Sequence, residues 1–217
     1  MKSARLFVLG MLLPLMARPA EAAPLQWGGS GDEIDHAPSA RVCAWEGGAA
    51  VSCGHAAPAP GGWYTARHVT EPGFPVLEDG IVRPFSRDAE RDLAHIEDAA
   101  SPASPLGAAI THDILTWRNT RGWGAVRVAG ETMGGPGGLW AGDPLIVTCR
   151  VAGLHFVRGD SGTGLHRAAD GAGGAEGDLV AVFVGGELDP SPGTVEYDTS
   201  WDAWCELGQM AWLQVVP

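Results

Sequence analysis

Lysine is nearly absent from this chain: Lys2 is the only one, and the other basic residues are arginine. Acidic residues outnumber basic ones by 26 to 14, a formal charge of −12. Such a balance repels nucleic acid and anionic membranes and favours solubility. Cysteine is scarce as well, with four residues and no pair at the spacing of a zinc site. The one long apolar run, residues 6–16, is eleven residues, short of the ~20 needed to span a bilayer. No internal repeat recurs at a fixed period, and no long amphipathic helix is visible before the C-terminus. The glycine-rich stretches 134–138 and 171–177 lack the spacing of a phosphate-binding loop and read as loops.

What is present begins with a processing signal. Lys2 and Arg5 form a basic start, the apolar run follows, and Ala20-Glu21-Ala22 offers small residues for cleavage. Residues 1–22 are read as a signal peptide, cut after Ala22, which predicts a secreted or periplasmic protein. The remaining 195 residues carry 11 basic and 25 acidic side chains, a formal charge of −14. An even number of cysteines behind an export signal points to disulfides. Three pairings of Cys43, Cys53, Cys149 and Cys205 are open; Cys43 with Cys53 and Cys149 with Cys205 is preferred.

Residues 23–39 lack a sustained period and read as a flexible tail or short pro-segment. From Arg41 onward, short apolar runs alternate with Gly/Pro turns, at 41–45, 50–53, 63–65, 80–85, 92–96, 125–129, 145–151 and 179–184. These are strand lengths with strand punctuation, and they indicate an all-β sandwich or barrel. The expected exception is a C-terminal α-helix over about 199–213. Thr199 and Asp202 would form its start, and Trp201, Trp204, Cys205, Leu207, Ala211 and Trp212 its apolar face. Its tryptophans are read as core packing.

The chemistry centres on Gly159-Asp160-Ser161-Gly162-Thr163-Gly164. A serine between glycines can be exposed on a tight turn, but its hydroxyl needs a base to become a nucleophile. A histidine must take the proton, and a carboxylate must hold that histidine in the right tautomer. Of the seven histidines, His36, His55, His112 and His166 read as solvent-facing or structural. His68 differs, because it ends Gly61-Gly62-Trp63-Tyr64-Thr65-Ala66-Arg67-His68, a turn and strand with the imidazole at the strand's exit. Asp92 then opens the apolar stretch Asp92-Leu93-Ala94-His95-Ile96, with Asp88 and Asp98 as rival acids.

These three blocks, in the order His, Asp, Ser, resemble the signature blocks of the trypsin/chymotrypsin-like serine endopeptidases of bacterial, secreted type. The order excludes the nucleophile-elbow hydrolases, which run Ser, Asp, His. The resemblance covers residues 41–213 and implies two six-stranded antiparallel β-barrels, about 40–105 and 106–198, with the active site between them and a C-terminal α-helix. It implies that His68 is general base and then acid, that Asp92 orients it, and that Ser161 forms the acyl-enzyme. The N–H groups of Gly159 and Ser161 would make the oxyanion hole. Asp160 would be a buried lock on the turn, satisfied by an arginine or by local hydrogen bonds. Position relative to Ser161 implies that His155 lies at the base of the primary specificity pocket and Arg158 near its mouth. Val184 takes a place often held by serine, and Gly185 and Gly186 should leave the pocket wall open. A histidine and an arginine there disfavour cleavage after Lys or Arg and favour acidic or small polar side chains.

The implied substrate is a protein or peptide, acted on by a monomer with no metal, no cofactor and no nucleic-acid partner. Two other readings use the same residues differently. One is a catalytically silent member of this fold, acting as a binding or regulatory module. The other is an unrelated β-sandwich adhesion or carbohydrate-binding domain, with the nine tryptophans as stacking platforms.

Overall fold

Strands dominate a computed structural model of the chain, which describes residues 36–71, 73–102, 104–108, 111–135, 138–168, 177–186 and 210–217. The expected signal peptide and residues 23–35 lie outside them. The first half holds β1 (Ala40–Glu46), β2 (Ala49–Ala59), β3 (Gly62–Thr65), a single helical turn α1 (Arg67–Thr70), β4 (Phe74–Leu77), β5 (Phe85–Arg87) and β6 (Ala94–Glu97). The second half holds β7 (Ile114–Asn119), β8 (Gly122–Met133), β9 (Pro144–Gly153), β10 (Gly164–Arg167), β11 (Leu179–Gly186) and β12 (Met210–Val215).

The strands form two antiparallel units. β7 to β12 close into a six-stranded barrel in the order β10-β11-β12-β9-β8-β7. The first six strands make a six-stranded sheet in the order β4-β1-β2-β3-β6-β5, with β4 and β5 at its edges. A single bridge, Val76 to Val82, links β4 to the segment that leads into β5. Of the run 80–85, therefore, only Phe85 enters a strand.

Three strands of the barrel explain why the sequence reads as continuous apolar runs there. In β9, β11 and β12, alternate residues face two different cores. Ile146, Val180, Phe183, Ala211 and Leu213 fill the barrel with Leu115, Trp117 and Phe156. Leu145, Val147, Leu179, Val182, Val184, Met210 and Trp212 instead join Val42, Ala56, Val69, Leu93 and Ile96 of the first sheet. A strand buried on both faces has no polar side to show. The apolar seam also fixes the two units against each other, which positions everything between them.

The same two-sided burial corrects the C-terminal reading. Positions 210–213 of the expected helix are strand β12, paired with β9 and β11; residues 199–209 lie outside the described ones. Met210 and Trp212 face the seam, while Ala211 and Leu213 face the barrel interior, a period of two that neighbouring tryptophans disguise as a helical face. The end of the expected tail is also packed. Ser39 is buried and its Oγ accepts the Gly164 N–H at 2.9 Å, while the His36 ring stacks on His166 at 3.8 Å. Residues 36–39 thus belong to the folded unit, because the start of β10 needs an acceptor that Ser39 supplies.

Cys43 and Cys53 are bonded across the β1–β2 pair, where the register puts them opposite one another. Cys149 is also in a disulfide, and Cys205 lies outside the described residues.

Candidate active site

His68 sits in the one-turn helix that follows β3, flanked by the buried Ala66 and Val69. So short a helix needs outside partners for its carbonyls, and Arg87 supplies one. Arg87 donates to the Thr70 carbonyl at 2.6 Å and to Thr70 Oγ1 at 2.9 Å. Arg67 reaches the Asp88 carbonyl at 3.0 Å and the Ala89 carbonyl at 3.3 Å. This ties the histidine turn to the turn that delivers Asp92. No role for Arg67 is legible in the sequence, and the structure makes it a brace.

Asp92 is 2 % exposed and lies beside His68. Its Oδ2 is 2.6 Å from His68 Nδ1, and its Oδ1 accepts the His68 backbone N–H at 2.9 Å. Oδ2 also accepts the indole N–H of Trp140 at 2.9 Å, and the Asp92 N–H donates to Asp143 Oδ2 at 3.1 Å. A carboxylate so placed holds Nδ1 protonated and leaves Nε2 of the ring as the basic nitrogen. The rival acids are engaged elsewhere. Asp88 caps its own turn through the N–H groups of Glu90 and Arg91, and Asp98 accepts from Trp63 Nε1 at 3.2 Å. Burial and the neighbouring Asp92 charge push the Asp143 carboxyl above its ordinary range.

The serine loop joins β9 to β10. Asp160 is fully buried, and an unpaired carboxylate there would be costly. It is met by the Arg121 guanidinium, by Asn119 Nδ2 at 3.2 Å and by the Val157 N–H at 2.8 Å, so both an arginine and local hydrogen bonds serve it. Gly159 has φ +97° and Gly162 φ +84°, the left-handed conformations that favour glycine. Within 159–164, the N–H groups of Asp160, Gly162, Thr163 and Gly164 all donate inside the chain. Among the described residues, those of Gly159 and Ser161 donate to nothing.

Two contacts bring this loop to the histidine turn. The Ser161 carbonyl accepts the His55 N–H at 2.8 Å. Gly54 is squeezed between the two units: a Cβ there would lie 2.5 Å from Ser161 O and 2.8 Å from Val69 Cγ2. Ser161 is half-buried and the His68 side chain is 42 % exposed. Among the described residues, no hydrogen bond joins the Ser161 hydroxyl to the His68 ring. The arrangement is closed on the acid side and open on the serine side.

The expected pocket residues are placed unevenly. His155 and Arg158 are exposed, and the His155 carbonyl accepts from Arg121 at 3.3 Å. Phe156 is the buried neighbour, stacked on Phe183 at 4.1 Å and on Trp117 at 4.7 Å. Val184 lies in the seam between the two units, and Gly186 pairs with Ala211. The wall at Gly185 is not open: the Trp140 indole occupies the space a side chain there would take. Sequence reasoning missed Trp140, Asp143 and Arg121, and it gave His55 no more than a generic role. All four sit far in sequence from the blocks they touch, so no local pattern marks them.

No family model and no curated protein matches the chain. Solved structures do. A variant of the HtrA-type protease AlgW solved with a tripeptide is 20 % identical with a TM-score of 0.60, over 87 % of this chain and 60 % of that one. AlgW itself with a tripeptide gives 21 % identity and 0.53 over 71 % of this chain and 54 % of that one. The protease of tobacco vein mottling virus gives 9 % and 0.51, over 90 % and 84 %. The chain thus spans 54 to 60 % of the length of those AlgW chains. The protein has the fold of the trypsin/chymotrypsin-like serine proteases.

Proposed function

We propose that the protein is an exported serine endopeptidase that hydrolyses peptide bonds through His68, Asp92 and Ser161. One observation carries this reading: in a loop where every other N–H is used internally, those of Gly159 and Ser161 find no acceptor among the described residues. They flank the serine, as donors to a substrate oxyanion must. Asp92 keeps Nδ1 of His68 protonated, so Nε2 takes the Ser161 proton as the hydroxyl attacks the scissile carbonyl. The same proton then goes to the leaving amine, and water releases the acyl group by the reverse sequence. Loss of one oxyanion donor typically costs about 3 kcal/mol in transition-state stabilisation.

The substrate on this reading is a protein or peptide chain that lies between a first unit of about 40–105 and a second of about 106–198. The end of the strand 180–186 pairs with its backbone, and His155 and Arg158 favour an acidic or small polar residue before the scissile bond. Export rests on residues 1–22 and on the disulfides. Among the described residues, no helix is long and apolar enough to cross a membrane.

Labelling with a fluorophosphonate probe tests the reading. Wild type is expected to label and Ser161→Ala is not, with both variants folded by circular dichroism. Folded wild type that never labels would favour the silent binding module, and labelling that survives Ser161→Ala would remove Ser161 as nucleophile. A peptide-library profile tests specificity: preference for Lys or Arg before the cut would contradict the pocket assignment.

A further inference from the structure

The carboxylate of Asp92 is shared between the two units. His68 takes one oxygen with its backbone N–H, and the other oxygen accepts both His68 Nδ1 and Trp140 Nε1. Trp140 comes from the connection between β8 and β9 of the barrel, whereas Asp92 and His68 belong to the first sheet's half of the chain. Among the described residues, His68 and Trp140 are the only side chains that bond this carboxylate.

The indole is held in a slot made for it. A Cβ on Gly185 would collide with its Cη2 and lie 3.1 Å from Cζ2. A Cβ on Gly135 would lie 2.6 Å from Cε3. The Trp140 backbone has φ +52°, a left-handed conformation that bulky residues rarely adopt, so the surroundings must impose it. The Trp140 carbonyl accepts the Asp143 N–H at 2.8 Å, and Asp143 in turn accepts the Asp92 N–H. One loop of the barrel therefore grips the acid at both its backbone and its side chain.

Resting on the protease reading, we propose that Trp140 is a positioning residue of the triad, its indole N–H fixing the Asp92 carboxylate so that Oδ2 stays aimed at His68. A buried carboxylate keeps its charge and orientation only where donors surround it. A second donor on Oδ2 also drains part of the charge that would otherwise stabilise a protonated His68. Removing it should make His68 more basic and less well oriented.

Trp140→Phe tests this, since it keeps a ring between the glycines and deletes the N–H. The expected result is a kcat lower by about tenfold with KM nearly unchanged. The His68 pKa, read by NMR titration and by the acid limb of kcat/KM, should rise by about half a unit or more. Gly185→Ala is the second variant, because its methyl displaces the indole without touching Asp92. It should produce the same rise in the His68 pKa, and adding it to Trp140→Phe should produce no more. An unchanged His68 pKa in both variants overturns the proposal, as does a raised KM with unchanged kcat, which would make the ring only a substrate wall. The NMR titration needs no turnover, so it decides the point even if wild type fails to label and the protease reading falls.

Discussion

His55 of β2 and Gly159 of the serine loop are joined across the two units by a hydrogen bond of 3.1 Å between the imidazole Nδ1 and the glycine carbonyl. The other ring nitrogen lies 3.2 Å from Thr120 Oγ1. Burial pushes the His55 pKa below its ordinary range, so the ring is neutral: Nδ1–H donates to Gly159, and Nε2 accepts from the threonine hydroxyl. The backbone of the same residue holds Ser161 O and accepts from Thr65 Oγ1 at 2.6 Å. A single residue of the first sheet thereby fixes both ends of the Gly159-Asp160-Ser161 turn.

His55→Phe should keep the fold and loosen that turn. The expected result is a loss of about tenfold or more in kcat with little change in KM, since the turn affected carries the proposed nucleophile and the oxyanion donors, which act in the transition state. Steady-state kinetics checks it; equal kcat in the two proteins would remove His55 from the positioning of the loop.

Among the described residues, Arg121 is the one full charge paired with Asp160, and it is only about one-third exposed while Asp160 is buried. Removing one partner of such a pair leaves an uncompensated buried charge. Arg121→Ala should cost about 3 kcal/mol in guanidinium unfolding and should slow fluorophosphonate labelling. Asp160→Asn, which leaves no buried charge, should be less destabilising. The reverse ranking would show that the pair does not hold the turn.

Gly54 separates the serine loop from the histidine turn by less than a side chain. A methyl there must push Ser161 or Val69 away, an overpacking cost of about 1–3 kcal/mol. Gly54→Ala should therefore lose labelling more than it loses stability. Full reactivity in the folded variant would mean that the two segments tolerate separation.

His166 is fully buried, donates from Nδ1 to the Gly177 carbonyl at 3.0 Å and has its ring against His36. Burial first and the His36 charge second lower its pKa from 6.5 to about 3. The folded value lies below the unfolded one, so between these two pH values the unfolded chain binds a proton that the native state refuses. Stability is then full above pH 6.5 and falls as pH drops toward 3, by up to about 1.4 kcal/mol per pH unit from this residue. Denaturant midpoints measured from pH 7 to 4 should show a shallower decline in His166→Phe. An identical slope would assign the acid loss to other groups.

His68, Asp92 and Ser161 could be proposed as a triad from the chain alone because each sits in a short block whose neighbours serve it: a strand before the histidine, an apolar strand after the acid, glycines around the serine. Strand-length runs made the all-β class legible for the same reason, since period and punctuation are local. The C-terminal strand was not, because β12 is buried on both faces and its Trp212, with Trp201 and Trp204 earlier in the sequence, mimics a helical stripe.

What the sequence determined by itself is therefore the chemistry available: a serine on a glycine turn, a histidine, an acid, and a carboxylate beside the serine that required partners. Which groups meet those needs was decided only in three dimensions. Arg121 and Asn119 reach Asp160 from the β7–β8 turn, Trp140 and Asp143 reach Asp92 from the β8–β9 loop, and His55 reaches Gly159 from the first sheet. These pairs are about 40 to 100 residues apart. Nothing in local spacing encodes such contacts; they exist because an apolar seam packs one unit against the other and brings their loops within hydrogen-bonding reach.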